Sequence, residues 1–222
     1  MTNSNVSQID NLEELLVDWQ SKFPEGLHFN IDGIISVDDW EKCDVKVLFV
    51  LKETNKAKQN IVSAINRALT TKKSGWWKGK VLRRVGRWAY GLQNYNGEVP
   101  AIRDAKLNLK AAIKSIAYIN IRKTAGGART NKKSFDAHAA EFAPYVRRQI
   151  ELIKPDIIVL GGTYKQIKKY VFPELSKVSE RVHKHEDMLF INAFHPAAVK
   201  QASILYQQVV GNYHNYKKEN MN

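Results

Sequence analysis

The chain has 222 residues, 44% of them hydrophobic and 26% charged, enough for one sizeable core and unlike the composition of a disordered chain. Lys and Arg exceed Asp and Glu by 13, an excess that builds a positive field and draws polyanions. The single cysteine, Cys43, excludes an intrachain disulfide and an all-cysteine cluster, no apolar stretch approaches a membrane span, and the polar residues 1–10 carry no leader pattern. A cytoplasmic, monomeric protein with one domain over residues 1–222 and no membrane partner is expected.

Asp10 and Glu13 read as a capping box ahead of a helical stripe, Leu12, Leu15, Leu16, Trp19 and Phe23, that ends near Pro24. Residues 45–51 form a nearly continuous apolar and β-branched run, broken only by Lys46, and predict a strand buried on both faces. Ile61, Ala64, Ile65, Ala68 and Leu69 set one helical stripe; Val81, Leu82, Val85, Trp88, Ala89 and Leu92 set the next. A second strand covers 116–121. Ala139, Phe142, Val146 and Ile150 then predict a helix that stops before Pro155. The third strand, 156–160, closes on Gly161-Gly162, read as turn chemistry, and feeds a helix over 163–171. The fourth strand is 188–193, and a last helix runs through 201–210. Strands alternating with helices predict an α/β fold, a three-layer α/β/α sandwich around a mostly parallel four-stranded sheet.

In such sheets ligands bind outside the carboxyl ends of the strands. Glu53 follows the first strand, Asn120 lies inside the end of the second, and His195 follows the fourth. A carboxylate can orient water and stabilise a cationic sugar, an amide can pair with a base edge, and an imidazole can stabilise charge on a leaving group. Those are the needs of N-glycosidic bond cleavage. Each residue also has a plain structural use: Glu53 as a helix cap, Asn120 with an internal partner, His195 against a turn carbonyl. Arg83, Arg84 and Arg87 are spaced to share an outer helix face toward a phosphate backbone. At the entrance of that helix stand Trp76 and Trp77, one a candidate stacking ring and the other a hydrophobic staple. The loop with Arg122, Lys123, Arg129, Lys132 and Lys133 around Gly126-Gly127 is a second candidate contact. His183 and His185 are the one close histidine pair, and no metal and no cofactor are expected.

The stretches VLFVLKETN (47–55), YINIRKTAGGART (118–130), RRQIELIKPDIIVLGGT (147–163) and FINAFHPAAV (190–199) together resemble the uracil-DNA glycosylase superfamily. The likeness is nearest to its iron–sulfur branch, where strands end in Gly-Glu-x-Pro-Gly, in Asn with a following Lys, and in His-Pro-Ser. The resemblance implies a uracil-DNA glycosylase-like fold. It also implies a DNA repair enzyme that flips uracil or another modified or damaged base and hydrolyses its N-glycosidic bond, with single- or double-stranded DNA as partner. It makes Asn120 the base-reading amide, with Asn55 beside it in the base-binding set, His195 the group facing the base carbonyl oxygen, and Glu53 the acidic position. The chain departs from the pattern in three ways. Lys52 precedes Glu53 and Thr54-Asn55 follow it, the four cluster cysteines are absent, and Ala197 replaces the serine. Those departures leave a second reading open, a catalytically inactive nucleic-acid-binding protein on the same fold. A third, an enzyme of free nucleosides or nucleotides, would have no use for the basic surface.

Overall fold

The computed structural model describes residues 6–55, 60–71, 77, 79–127 and 129–220. Among them seven strands form one mixed sheet: β1 (Gly33–Ile34), β2 (Val47–Leu51), β3 (Ile116–Asn120), β4 (Ile157–Gly161), β5 (Ser176–Lys177), β6 (Val182–His185) and β7 (Met188–Ala193). Their spatial order is β1-β3-β2-β4-β7-β6-β5. The four apolar runs are the central strands β3, β2, β4 and β7, all mutually parallel. The sheet is wider than the expected four strands because short antiparallel strands edge it on both sides, β1 on β3 and the β5-β6 pair on β7. Two-residue strands carry no periodicity to read, and in β6 (Val-His-Lys-His) one apolar residue is too little to mark a strand.

Among the described residues ten α-helical segments surround the sheet: α1 (Leu12–Ser21), α2 (Val37–Glu41), α3 (Ile61–Thr70), α4 (Lys80–Gln93), α5 (Ile102–Lys114), α6 (Lys132–Glu141), α7 (Ala143–Ile153), α8 (Tyr164–Gln166), α9 (Ala202–Tyr206) and α10 (Asn212–Glu219). α8 continues into a π turn over Ile167–Val171, and a second π turn, Gln207–Gly211, joins α9 to α10. α1 is capped by Asn11, whose side chain accepts from the Glu14 N–H and donates to the Glu14 carboxylate. The capping box therefore sits one residue later than the Asp10–Glu13 pairing, and Asp10 instead meets Arg148. The stripe through Ala139 and Ile150 belongs to two helices, broken at Phe142, because Pro144 supplies no N–H and can stand only in the first turn of a new helix.

Period-two alternation divides the core between two layers. Val47, Phe49, Leu51, Ile116, Tyr118, Val159, Ile191 and Ala193 face α3, α4, α5 and the α9–α10 stretch. Leu48, Val50, Ala117, Ile119, Ile121, Ile158, Leu160 and Phe190 face α1, α6 and α7. Close approach of α4 to α5 depends on Gly86, where a β-carbon would lie 2.7 Å from the Leu109 carbonyl oxygen. Among the described residues no helix is long and apolar enough to cross a membrane.

Candidate active site

The chain passes from β2 to β3 on one side and then back to β4 on the other, so the strand order reverses at the β2–β4 boundary. A crevice for ligand is expected at the carboxyl ends of those two strands. Several contacts close that point. Thr163 Oγ1 donates to the Val50 carbonyl at 2.9 Å, and a β-carbon on Gly161 would collide with Leu51 and lie 3.2 Å from Pro196. At Gly162, in a left-handed conformation (φ +77°), a β-carbon would stand 3.2 Å from that of His195. The glycine pair is thus more than a turn, since it lets the His195 segment lie directly on the ends of β2 and β4.

Asn120 ends β3, and Glu53 and His195 each lie two residues beyond β2 and β7. Asn120 shares the parity of Ile116 and Tyr118, Glu53 that of Phe49 and Leu51, and His195 that of Ile191 and Ala193. All three therefore stand at one rim with the parity of the same layer, that of α3, α4 and α5. With neighbouring strands about 4.8 Å apart, β2 and β7 stand roughly 10 Å from each other, with β4 between them. No hydrogen bond links the three side chains among the described residues.

Asn120 is 2% exposed and its Nδ2 donor meets no partner among the described residues. The Glu53 side chain is 4% exposed; Oε2 pairs with Arg122 Nη1 at 2.8 Å, and Oε1 meets no partner among the described residues. A β-carbon at Gly126 would collide with the Glu53 carboxyl, so glycine is required for that approach. An orphaned donor and an orphaned acceptor thus end adjacent strands, and each costs free energy unless water or a ligand meets it.

His195 is half-buried, and its Nδ1 accepts from the Ala197 N–H at 3.1 Å. Burial first, and then the positive charge of Lys52, lowers its pKa from 6.5 to about 4. The ring is therefore neutral at pH 7, and with Nδ1 accepting, the proton sits on Nε2 as a donor.

The remaining candidates scatter. Lys123 is fully buried and makes no surface contact: Nζ donates to Asp32 at 2.5 Å and to Gln149 Oε1 at 2.7 Å, and lies over the Trp19 ring. Parity explains this correction, because Lys123 extends the Ala117, Ile119, Ile121 face into the α1–α7 layer. Arg84 is also buried and binds backbone carbonyls, which corrects the shared outer face with Arg83 and Arg87. Arg122 folds back onto Glu53 and Ser134. Arg87 is half-buried, with Nε unpartnered among the described residues; Arg83 and Arg129 are exposed. Asn55 is exposed and forms a backbone bridge to Gly126 in the loop. Trp76 lies outside the described residues, while Trp77 Nε1 donates to the Ala68 carbonyl on α3 at 2.7 Å.

Three features escaped the sequence reading. Asp32 accepts the Asn120 backbone N–H at 2.8 Å while binding Lys123 and Gln149, and so fixes the end of β3. Gln149 was legible, since it sits within the buried stripe Val146, Ile150, Ile153. Val199, four residues past His195, is 96% exposed and is flanked by exposed Lys200. No three His, Cys, Asp or Glu side chains among the described residues stand together as metal ligands. A cleft of about 150 Å³ between Pro100, Ile102, Ser203 and Tyr206 is lined by none of the rim residues.

No protein-family model matches the chain, and no curated protein matches it at a significant level.

Proposed function

We propose that the chain is a DNA glycosylase of the uracil-DNA glycosylase-like type, hydrolysing the bond between a deoxyribose and a flipped uracil or other modified base. The observation that carries this reading is the pair of orphaned groups, Asn120 Nδ2 and Glu53 Oε1, at one rim with the neutral His195 donor. In the reaction the C1′–N bond breaks, the base leaves as an anion and water oxygen bonds C1′. Asn120 Nδ2 donates to an acceptor on the base edge. His195 Nε2–H donates to the base carbonyl oxygen as charge gathers there, a role that suits a neutral imidazole because it strengthens toward the transition state. Glu53 Oε1 accepts from the attacking water and faces the positive charge that develops on the sugar. Exposed Val199, with Lys200 beside it, suits an apolar wedge that holds the duplex open while phosphates are met by cations.

A second reading, a nucleic-acid-binding protein without catalysis, is favoured by the Arg122–Glu53 ion pair, which occupies one carboxylate oxygen. Oligonucleotides carrying uracil and other modified bases, treated with enzyme and then alkali, separate the two. The glycosylase cleaves at least one substrate at the modified position, and Glu53→Gln and His195→Ala each lose about 100-fold or more of that rate. DNA binding with no abasic product on any substrate establishes the second reading instead.

A further inference from the structure

Residues 194–200 lie between β7 and α9, and they are pinned at every second position. The Phe194 N–H donates to Gln208 Oε1 at 2.8 Å. Arg84, reaching over from α4, then collects three carbonyls. Its Nη1 donates to Pro196 at 2.6 Å and to Ala198 at 2.8 Å, and its Nη2 donates to Lys200 at 2.7 Å. Between and beside these pins His195 is half-buried, Ala197 is exposed and Val199 almost wholly so, with Phe194 and Lys200 exposed as well. A guanidinium offers five donors in a fixed planar fork, which suits it to hold several carbonyls in one arrangement where a flexible ammonium would not.

The cost of this arrangement argues against an incidental contact. Arg84 is 7% exposed, and no carboxylate pairs with it among the described residues. Burial, with the charges of Arg87 and Arg83 behind it, lowers the Arg84 pKa. A buried cation met only by carbonyl dipoles is expensive, and the carbonyls it binds all belong to the loop after His195.

We infer that Arg84 is the positioning residue of the candidate site, a strap that holds residues 194–200 in the one conformation where the Ala197 N–H meets His195 Nδ1 and Val199 stands clear of the surface. The strap makes His195 and Val199 parts of one rigid piece, so the base pocket and the outward apolar tip keep a fixed separation. Its value to catalysis rests on the glycosylase reading; the strap itself does not.

The test is a pH titration of the histidine rings by proton–nitrogen NMR in the wild type, Arg84→Gln and Arg84→Lys. In the wild type, His195 titrates near 4 with Nδ1 bare. Both variants move it toward 6.5 and lose the single tautomer, while His138, across the sheet on α6, stays at about 4 in all three. Arg84→Lys retains the charge, so a shift common to both variants reports lost geometry. In the base-release assay both variants lower kcat by about 100-fold with KM changed less than about threefold, as expected for misplacement of one group. A wild-type His195 ring that lacks the single tautomer with Nδ1 bare overturns the strap even if neither variant folds. So does a His195 unmoved in both variants, moved only in Arg84→Gln, or moved in step with His138. NMR shifts as stated, in a chain that releases no base from any substrate, leave the strap standing and remove the glycosylase reading.

Discussion

Asn120 and Glu53 pair burial with a polar atom that no described group meets, a combination that costs about 1–3 kcal/mol for each atom left dry. Such a cost is tolerated where function needs the group, so stability and activity should part at these positions. Asn120→Leu is expected to raise the urea midpoint by an amount worth roughly 1 kcal/mol, with the denaturant slope unchanged; a loss of stability would mean that the amide already has a partner. The histidines give a second check at this scale. His195 and His138 fall to about 4 in the folded chain, each chiefly through burial, against 6.5 when unperturbed. The unfolded chain therefore takes up their protons first as pH drops. The stability that their neutral burial supports is complete above 6.5 and lost as pH falls toward 4, up to about 2 kcal/mol each between pH 7.5 and 5. Urea midpoints should fall over that window, and His138→Phe should remove about half of the fall. A midpoint that holds constant from pH 7.5 to 5 contradicts both assignments.

At the scale of elements, the four parallel strands were legible because burial on both faces leaves an unbroken apolar run, and His195 and Asn120 were legible as polar residues at the ends of such runs. The fates of the basic residues were not. Arg122 and Lys123 are neighbours, but the strand's alternation sends one to Glu53 and the other into the opposite layer, onto Asp32. Net charge and loop position treat them alike; only the parity of Ala117, Ile119 and Ile121 separates them. Arg84 misled for a different reason, since its partners are carbonyls 112 to 116 residues away, and backbone carries no signature in sequence. Helix α5 was visible in hindsight from Ile102, Ala105, Leu109 and Ile113, which repeat at helical spacing. The buried pair offers the clearest energetic test. Lys123→Met leaves the Asp32 carboxylate buried without its cation and should cost about 3–5 kcal/mol, while Lys123→Met combined with Asp32→Leu should cost less than the single change. A surface lysine would instead lower DNA affinity and leave the urea midpoint where it was.

Over the whole molecule the net charge of +13 builds a positive field that attracts polyanions, and the proposed DNA partner is tested through it. Of the cations that the sequence offers to phosphate, Arg84, Arg122 and Lys123 are buried or folded onto internal partners, Arg83 is exposed but bonds the Gly79 carbonyl through Nε, and Arg129, Lys132 and Lys133 are exposed. About four to six phosphate contacts would give log affinity a slope of roughly −3 to −5 against log salt concentration. A slope near zero would restore free nucleosides as the substrate class. The rim itself is tested most directly by single-turnover release of free base from the modified oligonucleotides, followed by mass spectrometry, for the wild type and Asn120→Ala. Wild-type enzyme should liberate base in equal amount to abasic sites, and Asn120→Ala should do so about 100-fold more slowly. Undiminished release by Asn120→Ala, or no free base from any substrate with the wild type, contradicts the assignment of this rim as a base-excising site.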